Sequence, residues 1–599
     1  MKKLGCLVAV LPIVAFAQST NVDAPAGWAD DPPSLTSLVQ IARTESSLRL
    51  AITRYTQDIA AVERRYPVPY SPARIARLRQ LHEGWRKQLA ALDFAALDRE
   101  GQLDYIALRN RIAYALDRLR LDEARAAQMR PLVPFFDDLR LLQENRFDRK
   151  PIDARAVATT LDRVAKQVVE LTHALKEPPA ADAKNRAKPV SGAVAARAED
   201  QVRRLKEMLA DFHAYYDGYD PNYTWWARKP WTETDAALQV YADAIRTELL
   251  GVKPGTKAPI LGDPVLADGL RADLAVEMIP YDPKELIAIG EQELAWVETQ
   301  FRVVSRRMGY GDDWKAALEH TKDLAPPPGG APAAIFDIAS YSEDYIAKQH
   351  SITLAPLARE IWRLAMQTPD RQLINPFFTG GETTRLSYPT DTMSFDDRLM
   401  SQRGNTPHFN FPTVQHEIVP GHHYQKFMRD RFNSHRGPLN DTPFWTEGWA
   451  FYWELRLWDV DFARNDPDRM GMLFWRAHRA ARIVFSLNYQ LGNWTPQQCV
   501  DFLVARVGHE RANAEAEVRR SVMAAPPLYQ AAYMLGALQL RSLHKELVES
   551  GRMTDAQFHD AVLLGGPMPI ELVRARLSGA PLDAGMRSSW RFYDSIKSR

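Results

Sequence analysis

Cysteine is nearly absent. The 599 residues hold two, Cys6 and Cys499, too few for a disulfide framework or a cysteine-rich metal centre. Charge of one sign is lacking as well. Lys and Arg number 76 against 75 Asp and Glu, a net charge of +1, so no basic excess points to nucleic acid or an anionic membrane surface. Beyond the first residues no apolar run is long enough to span a bilayer. No glycine-rich phosphate loop and no Gly-x-Ser-x-Gly elbow occurs, which removes the commonest nucleotide-binding and serine-hydrolase signatures. With 46% hydrophobic and 25% charged residues, the composition is still that of a globular protein. The length corresponds to about four domain-sized units, enough for a large core without disulfides.

The N-terminus reads as an export signal. Lys2 and Lys3 precede an apolar stretch from Leu4 to Phe16, and Ala15-Phe16-Ala17 fits a small-residue cleavage site. Residues 1–17 are therefore expected to be removed, and the mature protein to be periplasmic or secreted. A retained membrane anchor is the alternative, but the run is shorter than the ~20 residues a spanning helix needs. A lipoprotein modified at Cys6 is another, with the cysteine unusually close to the start. Cleavage leaves Cys499 alone, so no internal disulfide can form.

Hydrophobic periodicity then predicts helix almost throughout, as in Ile75, Leu78, Leu81 and Trp85 within 72–130, opened by Ser71-Pro72. Glu177 to Ala198 reads as an exposed loop, followed by a helix from Glu199 to about Tyr216. The aromatic stretch with Trp225, Trp226 and Trp231 reads as core packing or a hydrophobic substrate cleft. Leu324 to Pro332 is a second break, and Thr383 to Thr390, after Gly380-Gly381, a rare strand. The expected fold is mainly α: a large two-lobed helical body around a central cleft, with few short strands near the active site. Residues 18–270 form an N-terminal helical region and 271–599 a C-terminal one, packed as one body.

The chemistry concentrates in Gln415-His416-Glu417-Ile418-Val419-Pro420-Gly421-His422-His423, where three of only 14 histidines fall within eight residues. In the zinc hydrolase pattern His-Glu-x-x-His, two imidazoles one helical turn apart hold the metal and the glutamate is general base. Here the fourth residue after His416 is Pro420. In a straight helix His416 and His422 would be about 9 Å apart along the axis and face different sides. His416 and His423 would share a face, about two turns apart. Neither pair could hold one zinc at ~2.0–2.1 Å. Pro420 and Gly421 permit a kink or widened turn that lets a stretched motif close. Downstream, Glu447 and Glu454 lie seven apart on one face of an aromatic helix starting near Pro443. Glu447 is either a metal ligand or half of a buried ion pair, and Glu454 an outer carboxylate or an arginine's partner. Farther on, Arg519-Arg520 and Tyr533 include groups that could face a developing oxyanion, although Tyr533 by pattern alone reads as core.

Several of these segments, in order, resemble the bacterial family known as domain of unknown function 885. They are Leu103-Asp104-Tyr105 with Leu108-Arg109, Glu277-Met278-Ile279-Pro280-Tyr281, Gly311-Asp312-Asp313-Trp314, His416-Glu417-x-x-Pro420-Gly421-His422, Glu447-Gly448-Trp449-Ala450 and Tyr533-x-x-Gly536. The family looks like a distant relative of helical gluzincin metallopeptidases. The resemblance implies zinc, one ion per chain, on His416, His422 and Glu447, with another divalent metal as an alternative. It also implies Glu417 as general base and Tyr533 facing the substrate carbonyl. His423, Arg520 and Gln490 are expected to contact substrate, Gln490 standing where relatives often have histidine. The expected function is a zinc-dependent peptidase acting on short peptides, with no nucleic-acid partner and no membrane span in the mature chain. A metal-dependent hydrolase of a non-peptide ester or amide, and an inactive peptide-binding protein, are the alternatives.

Overall fold

A computed structural model describes residues 24–177, 190–252, 259–327, 329–372, 378–440 and 442–596. The export segment, Cys6 and most of the loop after Glu177 lie outside these residues. The fold is mainly α. Among the described residues there are two short strands, Arg363–Met366 and Thr383–Leu386, paired in parallel with Arg363 opposite Thr383. No described helix is long and apolar enough to cross a membrane.

Local chemistry sets the helix starts. Ser71 accepts a hydrogen bond from the Arg74 amide and Pro72 occupies the first turn of the Pro72–Ala90 helix. Asp98 caps Arg99–Met129 in the same way. The helix Gly192–Tyr216 begins earlier than its sequence suggests, because Ser191 accepts from the Val194 amide. The loop expected through Ala198 therefore ends seven residues sooner.

Apolar packing forms two main cores. One joins Trp28 to Ile112 with side chains from Leu270 to Ile596. The other is built within Val68 to Ile245. The Arg99–Met129 helix serves both, giving Leu103, Ile106 and Leu108 to the first and Met129 to the second. Its Asp104 accepts from Arg436 Nε at 2.7 Å and pairs with His435 Nε2 at 2.8 Å, all three buried. This ties the start of the chain to the segment preceding the Pro443–Asp459 helix. Trp225 is 81% exposed and Trp226 40%, and neither lines the cavity described below. Neither the core nor the cleft reading holds for them. Trp231 stacks on His213 with ring centroids 3.8 Å apart.

Of the helices Pro443–Asp459, Asp466–Gln490 and Tyr529–His544, the last packs against the other two. The first and third meet at Gly448 and Gly536. A Cβ on Gly448 would lie 2.7 Å from the Gly536 Cα, and one on Gly536 2.3 Å from the Phe444 carbonyl oxygen. Only glycine at both positions allows this approach, which sets Glu447 beside Tyr529 and Tyr533.

Candidate metal centre

The Pro407–Glu417 helix ends where its sequence was expected to kink. A second helix, His422–Arg429, starts after a four-residue connection. The expected bent helix is thus two helices. The connection folds back tightly, and the Tyr424 amide donates to the Ile418 carbonyl, six residues earlier, at 3.2 Å. Gly421 makes the fold-back possible: a Cβ there would lie 1.9 Å from the His416 carbonyl oxygen and 2.3 Å from that of Gln415. Trp449 Nε1 donates to the Pro420 carbonyl at 2.8 Å and Gln425 Nε2 to the Trp445 carbonyl at 2.9 Å, fastening the connection and the second helix to Pro443–Asp459.

The fold-back brings the His416 and His422 rings to 4.7 Å between centroids, perpendicular to each other. Glu447 Oε2 lies 3.1 Å from His422 Nε2 and 3.5 Å from His416 Nε2. The Tyr529 hydroxyl donates to the other Glu447 oxygen, Oε1, so Oε2 is turned to the imidazoles. His416 Nδ1 meets Glu454 Oε1 at 2.8 Å, which leaves Nε2 facing inward. Glu417 joins the cluster, with ligand atoms of His416, Glu417 and His422 within 4.8 Å of one another. All four line a cavity of about 440 Å³ together with Tyr529, Tyr533, Arg479, Arg482 and Arg520. The loop before the second strand closes over Glu417: a Cβ on Gly380 would lie 2.1 Å from Glu417 Oε2.

Imidazoles and carboxylates in the cluster set each other's ionisation. Burial disfavours a charged His416, but Glu447 and Glu454 outweigh it and raise its pKa to about 9. Burial also disfavours an ionised Glu447, yet His422 and His416 hold it well below the carboxylate range. Burial pushes Glu417 above its ordinary value, against the pull of His422 and His416. Burial and Glu447 keep Tyr533 a neutral phenol, able to donate.

Two expected contacts are corrected. His423 follows His422 around the helix by about 100°, and its Nε2 meets the Ala358 carbonyl at 2.7 Å, away from the cavity. Gln490 lies eight residues beyond Arg482, about 12 Å along the helix, and accepts from the Val265 amide at 3.0 Å. Arg520 and Tyr533 do line the cavity. Sequence reasoning missed Tyr529, Arg479 and Arg482. The signals were there: Tyr529 stands one turn before Tyr533, and the two arginines sit mid-helix among residues that are otherwise buried and largely apolar. A second grouping, His544, Asp555 and His559, is already satisfied. His559 bonds the Ser351 carbonyl and the Tyr452 hydroxyl, and Asp555 pairs with His544 and Arg456.

Fold and site together define a helical protein with a largely buried two-histidine, one-glutamate cluster at a cavity. The chain belongs to a family described as bacterial proteins of unknown function, DUF885, whose model matches residues 55–577. Two solved structures share the fold. A candidate lipoprotein of unknown function from Shewanella oneidensis is 13% identical with a TM-score of 0.65, covering 88% of this chain and 99% of its own. A candidate lipoprotein from Colwellia psychrerythraea is 18% identical with a TM-score of 0.52, covering 90% and 98%. No curated protein matches significantly.

Proposed function

We propose that this protein is a zinc-dependent peptidase acting on short peptides outside the cytoplasm. The observation that carries the reading is the convergence of His416, His422 and Glu447 on one point beside Glu417. Tetrahedral zinc at ~2.0–2.1 Å from each ligand sets neighbouring donor atoms about 3.3 Å apart, and the separations from Glu447 are 3.1 and 3.5 Å. Two histidines from one segment and a glutamate from a later helix match the gluzincin ligand set. Export fits the N-terminal sequence, and the two structural neighbours are described as candidate lipoproteins.

When bound, zinc would supply Lewis acidity toward the scissile carbonyl and toward water. Glu417 accepts the proton of the attacking water and delivers it to the leaving amine. Tyr533 donates to the carbonyl oxygen as charge builds there. Tyr529 and Glu454 orient Glu447 and His416.

The test is a screen of zinc-loaded protein against a peptide library and an ester panel. Peptide cleavage in the wild type that Glu417→Gln abolishes, with zinc retained, supports the reading. Ester turnover without peptide turnover overturns it.

A further inference from the structure

The proposed chemistry leaves three cavity-lining guanidinium groups without a role: Arg479, Arg482 and Arg520. Arg479 and Arg482 are 5% and 3% exposed and stand one turn apart on the Asp466–Gln490 helix. Arg520 comes from the Arg511–Met523 helix. Their guanidiniums gather around two rings, with Arg479 and Arg482 4.7 and 4.4 Å from the Tyr533 centroid and Arg520 5.9 Å from that of Tyr529.

The carboxylates around them are shared: Glu517 serves both Arg482 and Arg520, and Glu447, near Arg479 and Arg520, is engaged by His416 and His422. Glu517 accepts from Arg482 Nε at 2.7 Å. Glu454 lies 3.9 Å from Arg479 Nη2 but is engaged with His416 at 2.8 Å. Among the described residues, Arg482 Nη1 and Arg479 Nε are buried with no hydrogen-bond partner. Those two atoms face protein rather than the cavity; what the cavity meets is the charge of three guanidiniums, and a wall of that sign favours an anion. Planar, forked donors match a carboxylate.

We propose that the arginine wall binds a substrate carboxylate, with the free C-terminus of a short peptide as its occupant. The inference rests on the peptidase reading and narrows it. The scissile carbonyl lies at the Glu417 end of the cavity and the carboxylate on the leaving-amine fragment, so the enzyme releases short C-terminal pieces.

Binding is measured by calorimetry on Glu417→Gln protein, zinc-loaded and metal-free, so that no probe is cleaved. The probes are acetyl-Ala-Ala-Ala with a free C-terminus, its C-terminal amide, and acetyl-Ala-Ala-Glu amide. The free acid should bind at least tenfold more tightly than either amide. The preference should persist without metal, which separates the arginines from direct metal binding. Arg520→Gln, added to Glu417→Gln, should remove it. Arg482→Gln, which leaves Glu517 the guanidinium of Arg520 beside it, should do the same. Equal binding of all three probes, or a preference that both arginine variants keep, overturns the proposal. Tight binding of the Glu amide alongside the free acid retains the carboxylate site but overturns the C-terminal assignment. Failure of the peptidase reading shows separately, as acid-selective binding with no peptide turnover by the wild type.

Discussion

Replacing Gly421 by alanine adds one methyl group where the backbone leaves no room. The Cβ would sit 1.9 Å from the His416 carbonyl oxygen, whereas real Cβ contacts stay above 3.0 Å. Relief requires about 1 Å of backbone movement between the two helices. His422 is the next residue, so most of that movement reaches its imidazole. Metal–ligand distances tolerate only about ±0.2 Å, and the shift is several times larger. Zinc affinity should fall by at least ~100-fold, and stability by the ~1–3 kcal/mol typical of overpacking. Competition against a chelator of known affinity reads the first, and denaturant unfolding of metal-free protein reads the second. A Gly421→Ala variant that binds zinc as tightly as the wild type would refute the account of how the stretched motif closes.

Other perturbations isolate single contacts. Glu454→Ala removes the acceptor on His416 Nδ1 and should weaken zinc binding ~10–100-fold by the same competition assay, whereas His423→Ala should leave it unchanged. Tyr533→Phe should lower kcat by the ~10²–10³-fold of a lost oxyanion donor without changing zinc content. Asp104→Asn leaves Arg436 buried with a weakened partner and should cost ~3–5 kcal/mol of stability in denaturant unfolding. Asp104 and Glu100 also contribute to acid sensitivity. Burial opposes ionisation of both, but Arg436 with His435, and Arg576 with Arg436, hold their pKa values below the ordinary ones. Groups depressed in the folded state stabilise it above the unfolded pKa of about 4. That stability should fade as pH drops below about 4, and Asp104→Asn should flatten this part of the profile.

The helical character, the helix starts at Ser71-Pro72 and near Pro443, and a histidine–glutamate cluster with a later glutamate were legible because each has a local sign, a cap, a period or a ligand type, whereas the choice of His422 came from the family resemblance. What sequence could not show depended on through-space contact. Gly421 reads as flexibility in a helix, yet its role is to pass against two carbonyl oxygens. Gly448 and Gly536 lie 88 residues apart, and their contact sets the spacing of the helices that carry Glu447 and Tyr533. His423 is as promising a ligand as His422 by residue type, and only helix phase separates them. Trp225 and Trp226 looked like core by hydrophobicity and proved exposed. Arg479 and Arg482 went unremarked because arginine within a helix is usually a solvated face.

The central claim is most directly tested by the zinc content of purified protein, measured for the wild type and for His416→Ala, His422→Ala, Glu447→Ala and Glu417→Gln. The account predicts one zinc per chain in the wild type and in Glu417→Gln, and well below one in each of the other three. A wild type that takes up no zinc, or ligand variants that keep it, would contradict the account.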